Sequence, residues 1–182
     1  MAYLTASWER RSQRSTMDCP SPCITDTNIW IDPYRGGLLA EAFLLPCRFI
    51  VPDVIIAELG EPSGAYLLSL GLQEHGFSGE QISQVQALVR KHRGVSSNDL
   101  FALVLARELK ATLLTGDQLL RKVAEKEGVS IRGTLWILDE LVTHGIVTPR
   151  RAAEALKLMV SSGRRLPHQE CQTRLRRWER GE

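Results

Sequence analysis

The sequence predicts an α/β fold, Rossmann-like and three-layered, in which a mostly parallel central sheet has helices on both faces and extra helices follow at the carboxyl end. Three observations predict it. Short apolar runs at Cys23–Thr27 and Arg48–Val51 end in polar residues or proline, as buried parallel strands do. Longer segments with apolar residues at helical spacing lie between such runs, the clearest being Gln81–His92 and Ser96–Lys110. The two kinds of segment alternate, and alternation implies right-handed crossovers between parallel strands.

Residues 1–21 carry Ser, Arg, Gln and Pro without a sustained period and read as a flexible amino-terminal extension, with Met17 as an alternative start. Residues 22–163 read as the folded unit and 164–182 as a basic, helical carboxyl-terminal tail. After the second strand, Pro52 suits the first turn of a short helix over Asp53–Leu59, stopped by Gly60-Glu61-Pro62. Ser63–Leu72 also reads as helical. In Gln81–His92, Ile82, Val85, Leu88 and Val89 share one face, and Gly94 lies beyond its end. Ser96–Lys110 is apolar nearly all round, which describes a buried helix. Thr112–Thr115 follows as a strand, Asp117–Glu127 as a helix and Val129–Ile131 as the last strand. Thr134 is placed to cap a helix ended by Gly145, and Thr148-Pro149 opens one ended by Gly163.

With 182 residues and 43% hydrophobic content, the chain has enough apolar material for one core. The net charge of +2, from 23 basic and 21 acidic residues, is too small for a protein that coats nucleic acid, so any RNA contact is local. No apolar run approaches the ~18 residues of a membrane span, and the Arg10-Arg11 region lacks a signal sequence's apolar core. A cytoplasmic protein with reduced thiols is the expectation. Cys19 and Cys23 have zinc half-site spacing that His168 and Cys171 would complete only if the chain ends met; packed and tail thiols are the preferred reading.

Asp26 stands at the carboxyl end of the first strand, Glu58 in the short helix after the second, Asp99 in the first turn of the buried helix, and Asp117 after a later strand. Each has an ordinary structural explanation alone: an Asx-turn for Asp26, a solvated face for Glu58, a Ser96-x-x-Asp99 capping box, a helix cap at Asp117. Together all four fall on one edge of the sheet, where open α/β folds bind ligands. Converging carboxylates oppose folding unless a cation compensates. Oxygen-only ligation suits Mg²⁺ or Mn²⁺ rather than zinc, and a metal so held fits phosphoester hydrolysis. No G-x-G-x-x-G, P-loop or serine elbow competes.

Four ordered motifs carry a family resemblance: Ile24-Thr25-Asp26-Thr27-Asn28, Val51-Pro52-Asp53-Val54-Ile55-Ile56-Ala57-Glu58-Leu59, Ser97-Asn98-Asp99 with Ala102 and Ala106, and Leu114-Thr115-Gly116-Asp117. With them the chain resembles the PIN-domain nucleases, especially VapC-like toxins. Gly133–Leu138 and Arg164–Pro167 look like a subgroup with extra carboxyl-terminal helices. The resemblance implies a metal-dependent endoribonuclease in which Asp26, Glu58, Asp99 and Asp117 hold one or two Mg²⁺ or Mn²⁺ ions, supported by Asn28 and Thr115. It also implies a homodimer, an RNA substrate and a cognate antitoxin. Many relatives carry a further acid just after the fourth; here Gln118, Leu119 and Leu120 follow Asp117.

A non-cleaving PIN-like module that binds RNA or protein is the alternative. An aspartyl phosphatase ranks lower, because Asn28 stands where its second Asp would be. The arginines from Arg164 to Arg180 form either an RNA-binding patch or a helix packed on the body through Leu175 and Trp178; the second is preferred because Glu170 and Glu179 interrupt the charge. Arg93, Arg121 and Lys122 flank the acids in sequence as equivalent phosphate contacts.

Overall fold

A computed structural model describes residues 22–26 and 28–181, so the expected extension over residues 1–21 lies outside the described residues. Its five strands are β1 (Cys23–Thr25), β2 (Phe49–Pro52), β3 (Gln73–His75), β4 (Thr112–Leu114) and β5 (Ile131–Arg132). They pair in the order β3-β2-β1-β4-β5, and each neighbouring pair is parallel. The α/β class with a parallel central sheet is therefore the observed one. In register, Ile24 lies between Ile50 of β2 and Leu113 of β4.

This order contains a reversal. The chain winds outward from β1 to β3, then returns to β4 on the other side of β1. The carboxyl ends of β1 and β4 thus flank the topological switch point, where crossovers diverge and leave a crevice.

The described helices are α1 (Ile31–Arg35), α2 (Leu39–Ala42), α3 (Asp53–Ile56), α4 (Gly64–Leu70), α5 (Gly79–Lys91), α6 (Ser97–Glu108), α7 (Gln118–Lys126), α8 (Thr134–Thr143), α9 (Pro149–Ser161) and α10 (His168–Glu179). Helix α6 packs across β1, β2 and β4, burying Leu100, Leu103, Val104 and Leu105, as its all-round apolar pattern requires. Ser78, Ser96, Asp117 and Thr148 cap α5, α6, α7 and α9 through their side-chain oxygens.

Several details depart from expectation. Helix α3 ends at Ile56, so Glu58 lies in the turn beyond it rather than within a helix. Strand β3 and the short α1 and α2 were not among the expected elements, although α2 lies in the apolar stretch Leu38–Leu45. β3 is a polar edge strand, with Gln73 and Glu74 exposed, and charge on an edge blunts unwanted pairing. Helices α1 and α2 are anchored by aromatics: Trp30 stacks on Phe43 at 4.6 Å and meets Phe49 edge-on at 5.0 Å. The last strand starts at Ile131 because the Val129 amide is used by the Ala124 carbonyl at the end of α7. Gly133, not Thr134, occupies the cap position of α8, and the Thr134 hydroxyl instead donates to Asp32.

Helix α10 packs on α9, burying Cys171 and Trp178, while Arg174 and Arg177 pair with Asp139 at 2.7 and 2.5 Å. Arg164 pairs with buried Asp32. Cys23 lies fully buried in β1, and Cys47 is disulfide-bonded, which departs from the expectation of reduced thiols. No described helix is long and apolar enough to cross a membrane.

Candidate metal centre

Asp26 follows β1 directly and is 1% exposed. One carboxylate oxygen, Oδ1, accepts the backbone N–H groups of Asn28 at 2.9 Å and Ile29 at 2.8 Å. The other, Oδ2, accepts the Thr115 hydroxyl from the end of β4. A carboxylate offers about four lone-pair sites, so three hydrogen bonds orient it and leave acceptor capacity over. Asn28 contributes here through its backbone; its residue is exposed and lines a cavity of about 210 Å³ with Ile31, Glu58, Leu59 and Pro62.

Thr115 is itself fully buried, and its Oγ1 also accepts the Asp117 N–H at 3.0 Å. The hydroxyl therefore joins the first acid to the fourth across the β1–β4 seam. Asp117 Oδ1 accepts the Leu120 N–H at 2.7 Å, the capping role that its place before a helix suggests.

Asp99, in the first turn of α6, departs from a full capping box. Ser96 Oγ accepts the Asp99 N–H at 3.1 Å, but the same hydroxyl donates to Asp99 Oδ2 at 2.7 Å. The carboxylate is thus steered by a side chain beside the sheet edge. Glu58 is exposed and accepts the Asn98 amide, which ties the turn after α3 to the start of α6 beside Asp99. Asn98 had no signal of its own in the sequence beyond adjacency to Asp99.

Electrostatics link three of the acids. Burial pushes the Asp26 carboxyl up to about 6; hydrogen bonds from Thr115, Ile29 and Asn28 oppose that rise, and the charge of Asp99 adds to it. Asp99 is raised as well, chiefly by burial, with Asp117 adding to the rise and Ser96 opposing it. These are carboxylates whose negative charge the protein leaves uncompensated. Among the described residues, no three Asp, Glu, His or Cys side chains stand close enough to hold an ion as a group. The donor set still fits a hydrated hard cation, because Mg²⁺ retains several waters and needs only one or two carboxylates from the protein. It does not fit zinc, as all of these donors are carboxylate oxygens.

The DUF3368 family model, described as a PIN domain, matches residues 22–180. Among solved structures, a PilT N-terminus domain protein from the hyperthermophilic archaeon Sulfolobus solfataricus P2 is similar, with 17% identity and a TM-score of 0.46 over 68% of this chain and 92% of that one. No curated protein matches the chain.

Proposed function

The chain belongs to the PIN domain family, whose members are nuclease-type modules that typically use divalent metal ions, and from that membership we propose a metal-dependent endoribonuclease that cleaves RNA phosphodiester bonds. One observation supports it above the others: a fully buried Asp26, held by three donors and joined through Thr115 to Asp117, lies at the switch point of the sheet with Asp99 in electrostatic reach.

In this reading Asp26, Asp99 and Asp117 hold Mg²⁺ or Mn²⁺, with Glu58 completing the acidic set from the exposed side and Asn28 and Thr115 supporting it. When bound, such an ion neutralises phosphate charge and supplies an activated water. The chain's own residues do the positioning. Thr115 and the Asn28 and Ile29 amides fix the Asp26 carboxylate, Ser96 fixes Asp99, and the Leu120 amide fixes Asp117. Residues 22–163 form the nuclease unit and 164–182 a basic helical tail. The protein acts in the cytoplasm as a homodimer and as the toxin of a toxin–antitoxin pair, silenced by its cognate antitoxin.

Cleavage of mixed RNAs with Mg²⁺ or Mn²⁺ tests this, comparing the native chain with Asp26→Asn and Asp99→Asn. Cleavage by the native chain alone supports the nuclease. Equal cleavage by all three overturns the site assignment. No cleavage by any points to the second reading, a non-cleaving RNA- or protein-binding module, with which the spread of the acids among the described residues agrees.

A further inference from the structure

We infer that Arg121 receives a backbone phosphate of single-stranded RNA beside the acidic site. The inference rests on the nuclease reading above. Arg93, Arg121 and Lys122 are equivalent in the sequence, and the structure separates them.

Arg121 lies one helical turn beyond Asp117, with its backbone N–H on the Asp117 carbonyl at 3.0 Å. Its side chain folds back to the strand ends, where Nη1 donates to the Thr115 carbonyl at 3.2 Å. Thr115 is the residue whose hydroxyl binds Asp26, so the guanidinium is fixed to the same strand-end residue that orients the buried acid. Gly133, just after β5, lies against it: a Cβ there would stand 3.4 Å from both Arg121 Nη1 and the Thr115 carbonyl oxygen. The guanidinium is thereby wedged between the ends of β4 and β5, whereas Arg93 and Lys122 are exposed.

Three acids stand nearby, yet no described carboxylate pairs with Arg121. Of the other part-buried arginines, Arg107 pairs with Glu127, Arg164 with Asp32 and Arg174 with Asp139, while Arg151, away from the acids, also donates to a main-chain carbonyl, that of Gly37. A guanidinium carries five donors, and one of them on a carbonyl sets its plane while the others remain for a planar, two-oxygen acceptor. A phosphate edge has that shape. An RNA strand crossing the acidic edge presents successive phosphates to the acids and to the β4–β5 flank, and a fixed cation on that flank sets the strand's register without reading its bases.

Binding of a fluorescent mixed-sequence oligoribonucleotide to the full chain, followed by anisotropy in EDTA across a salt series, tests this without cleavage. Arg121→Gln is expected to weaken binding about 10-fold near 0.1 M salt and to flatten the slope of log K against log salt by about 0.7, the value for one lost single-strand phosphate contact. Arg121→Lys keeps the slope and stays within about threefold of the native affinity. Lys126→Gln, at the far end of α7, changes neither. Arg121→Met serves in place of the Gln variant if thermal melts show that the latter is not folded. A folded neutral variant with native affinity and slope overturns the inference while leaving the nuclease reading intact. A purely structural role appears as a lower Tm with an unchanged slope and overturns it too. Native chain that binds no RNA in EDTA overturns this inference and leaves the nuclease reading to the cleavage assay with Mg²⁺ or Mn²⁺.

Discussion

The Thr115 hydroxyl donates to the buried Asp26 carboxylate across the seam between β4 and β1. Its remaining lone pairs face the Asp117 amide, so a single oxygen holds two strand ends in one arrangement. Thr115→Val keeps the shape and removes both bonds. It is expected to cost about 1–3 kcal/mol in urea unfolding, because Asp26 is left short of a donor in a buried site. Metal-supported RNA cleavage falls about 10- to 100-fold, the usual effect of losing a group that orients a ligand. Unchanged cleavage would show that Asp26 does not depend on this hydroxyl.

Asp26 also sets a pH dependence of the metal-free protein. Its folded pKa of about 6 lies above its ordinary value of 3.8, so the folded state binds more protons than the unfolded one between those values. Stability therefore declines as pH rises from about 4 to about 6, by about 1.4 kcal/mol per pH unit, and is level above that. Urea midpoints measured in EDTA should trace this decline, and Asp26→Asn should reduce it to the share that the raised Asp99 contributes and leave the metal-free protein more stable at pH 7. A native midpoint that rises from pH 4 to 6 by the same amount in both proteins contradicts the assignment.

Glu127 does the opposite at the far end of the sheet. Its carboxylate accepts Lys91 at 2.8 Å, His92 at 2.9 Å and Arg107 at 3.2 Å, joining the ends of α5, α6 and α7. Those partners, Lys91 foremost, hold its pKa at about 2, below the ordinary 4.5. Its contribution is complete above pH 4.5 and is lost as pH falls towards 2. Glu127→Ala is expected to destabilise by about 2–3 kcal/mol at pH 7, since it strands Arg107 and His92. The gap between variant and native protein should close at pH 2; a constant gap in guanidinium-free acid titration by circular dichroism would refute the mechanism.

Asp32, 5% exposed, accepts from both Thr134 and Arg164. Asp32→Ala leaves a guanidinium and a hydroxyl without their acceptor, at a cost of about 3–5 kcal/mol. Because Arg164 leads into α10, limited proteolysis should cut the variant after Arg164 or Arg165 faster than the native chain. Equal cutting rates would mean that the tail is held by the Trp178 and Asp139 contacts alone.

How much of this could be read beforehand depended on range. The alternation of strands and helices is a local pattern, and so are the caps at Ser96, Asp117 and Thr148; the fold class and several element boundaries followed from them, whereas the Ser78 cap of α5 was not read and that helix was expected to start at Gln81. Asp26, Asp99 and Asp117 were legible as positions because each sits beside a strand or helix end. Their mutual arrangement was not, since it depends on a partner far along the chain: Thr115, which also accepts the Asp117 amide, reaches Asp26 across 89 residues. Polar edge strands such as β3 lack the apolar period that a sequence reading depends on, and the short apolar run that holds α2 does not by itself tell a helix from a strand. Arg121 was visible as a charge but not as a fixed one, because its anchor is a main-chain carbonyl.

The seam between β1 and β4 also says when the site comes into existence. Asp26 is made early and Thr115 follows 89 residues later, with the whole β2–β3 wing between them. Closing so large a loop is among the slower steps in folding, since its entropy must be met before the contact rewards it. A chain still emerging from the ribosome therefore carries the first acid without the residue that aims it. In the proposed nuclease the acidic site is therefore incomplete until Thr115 has been made and β4 has paired with β1.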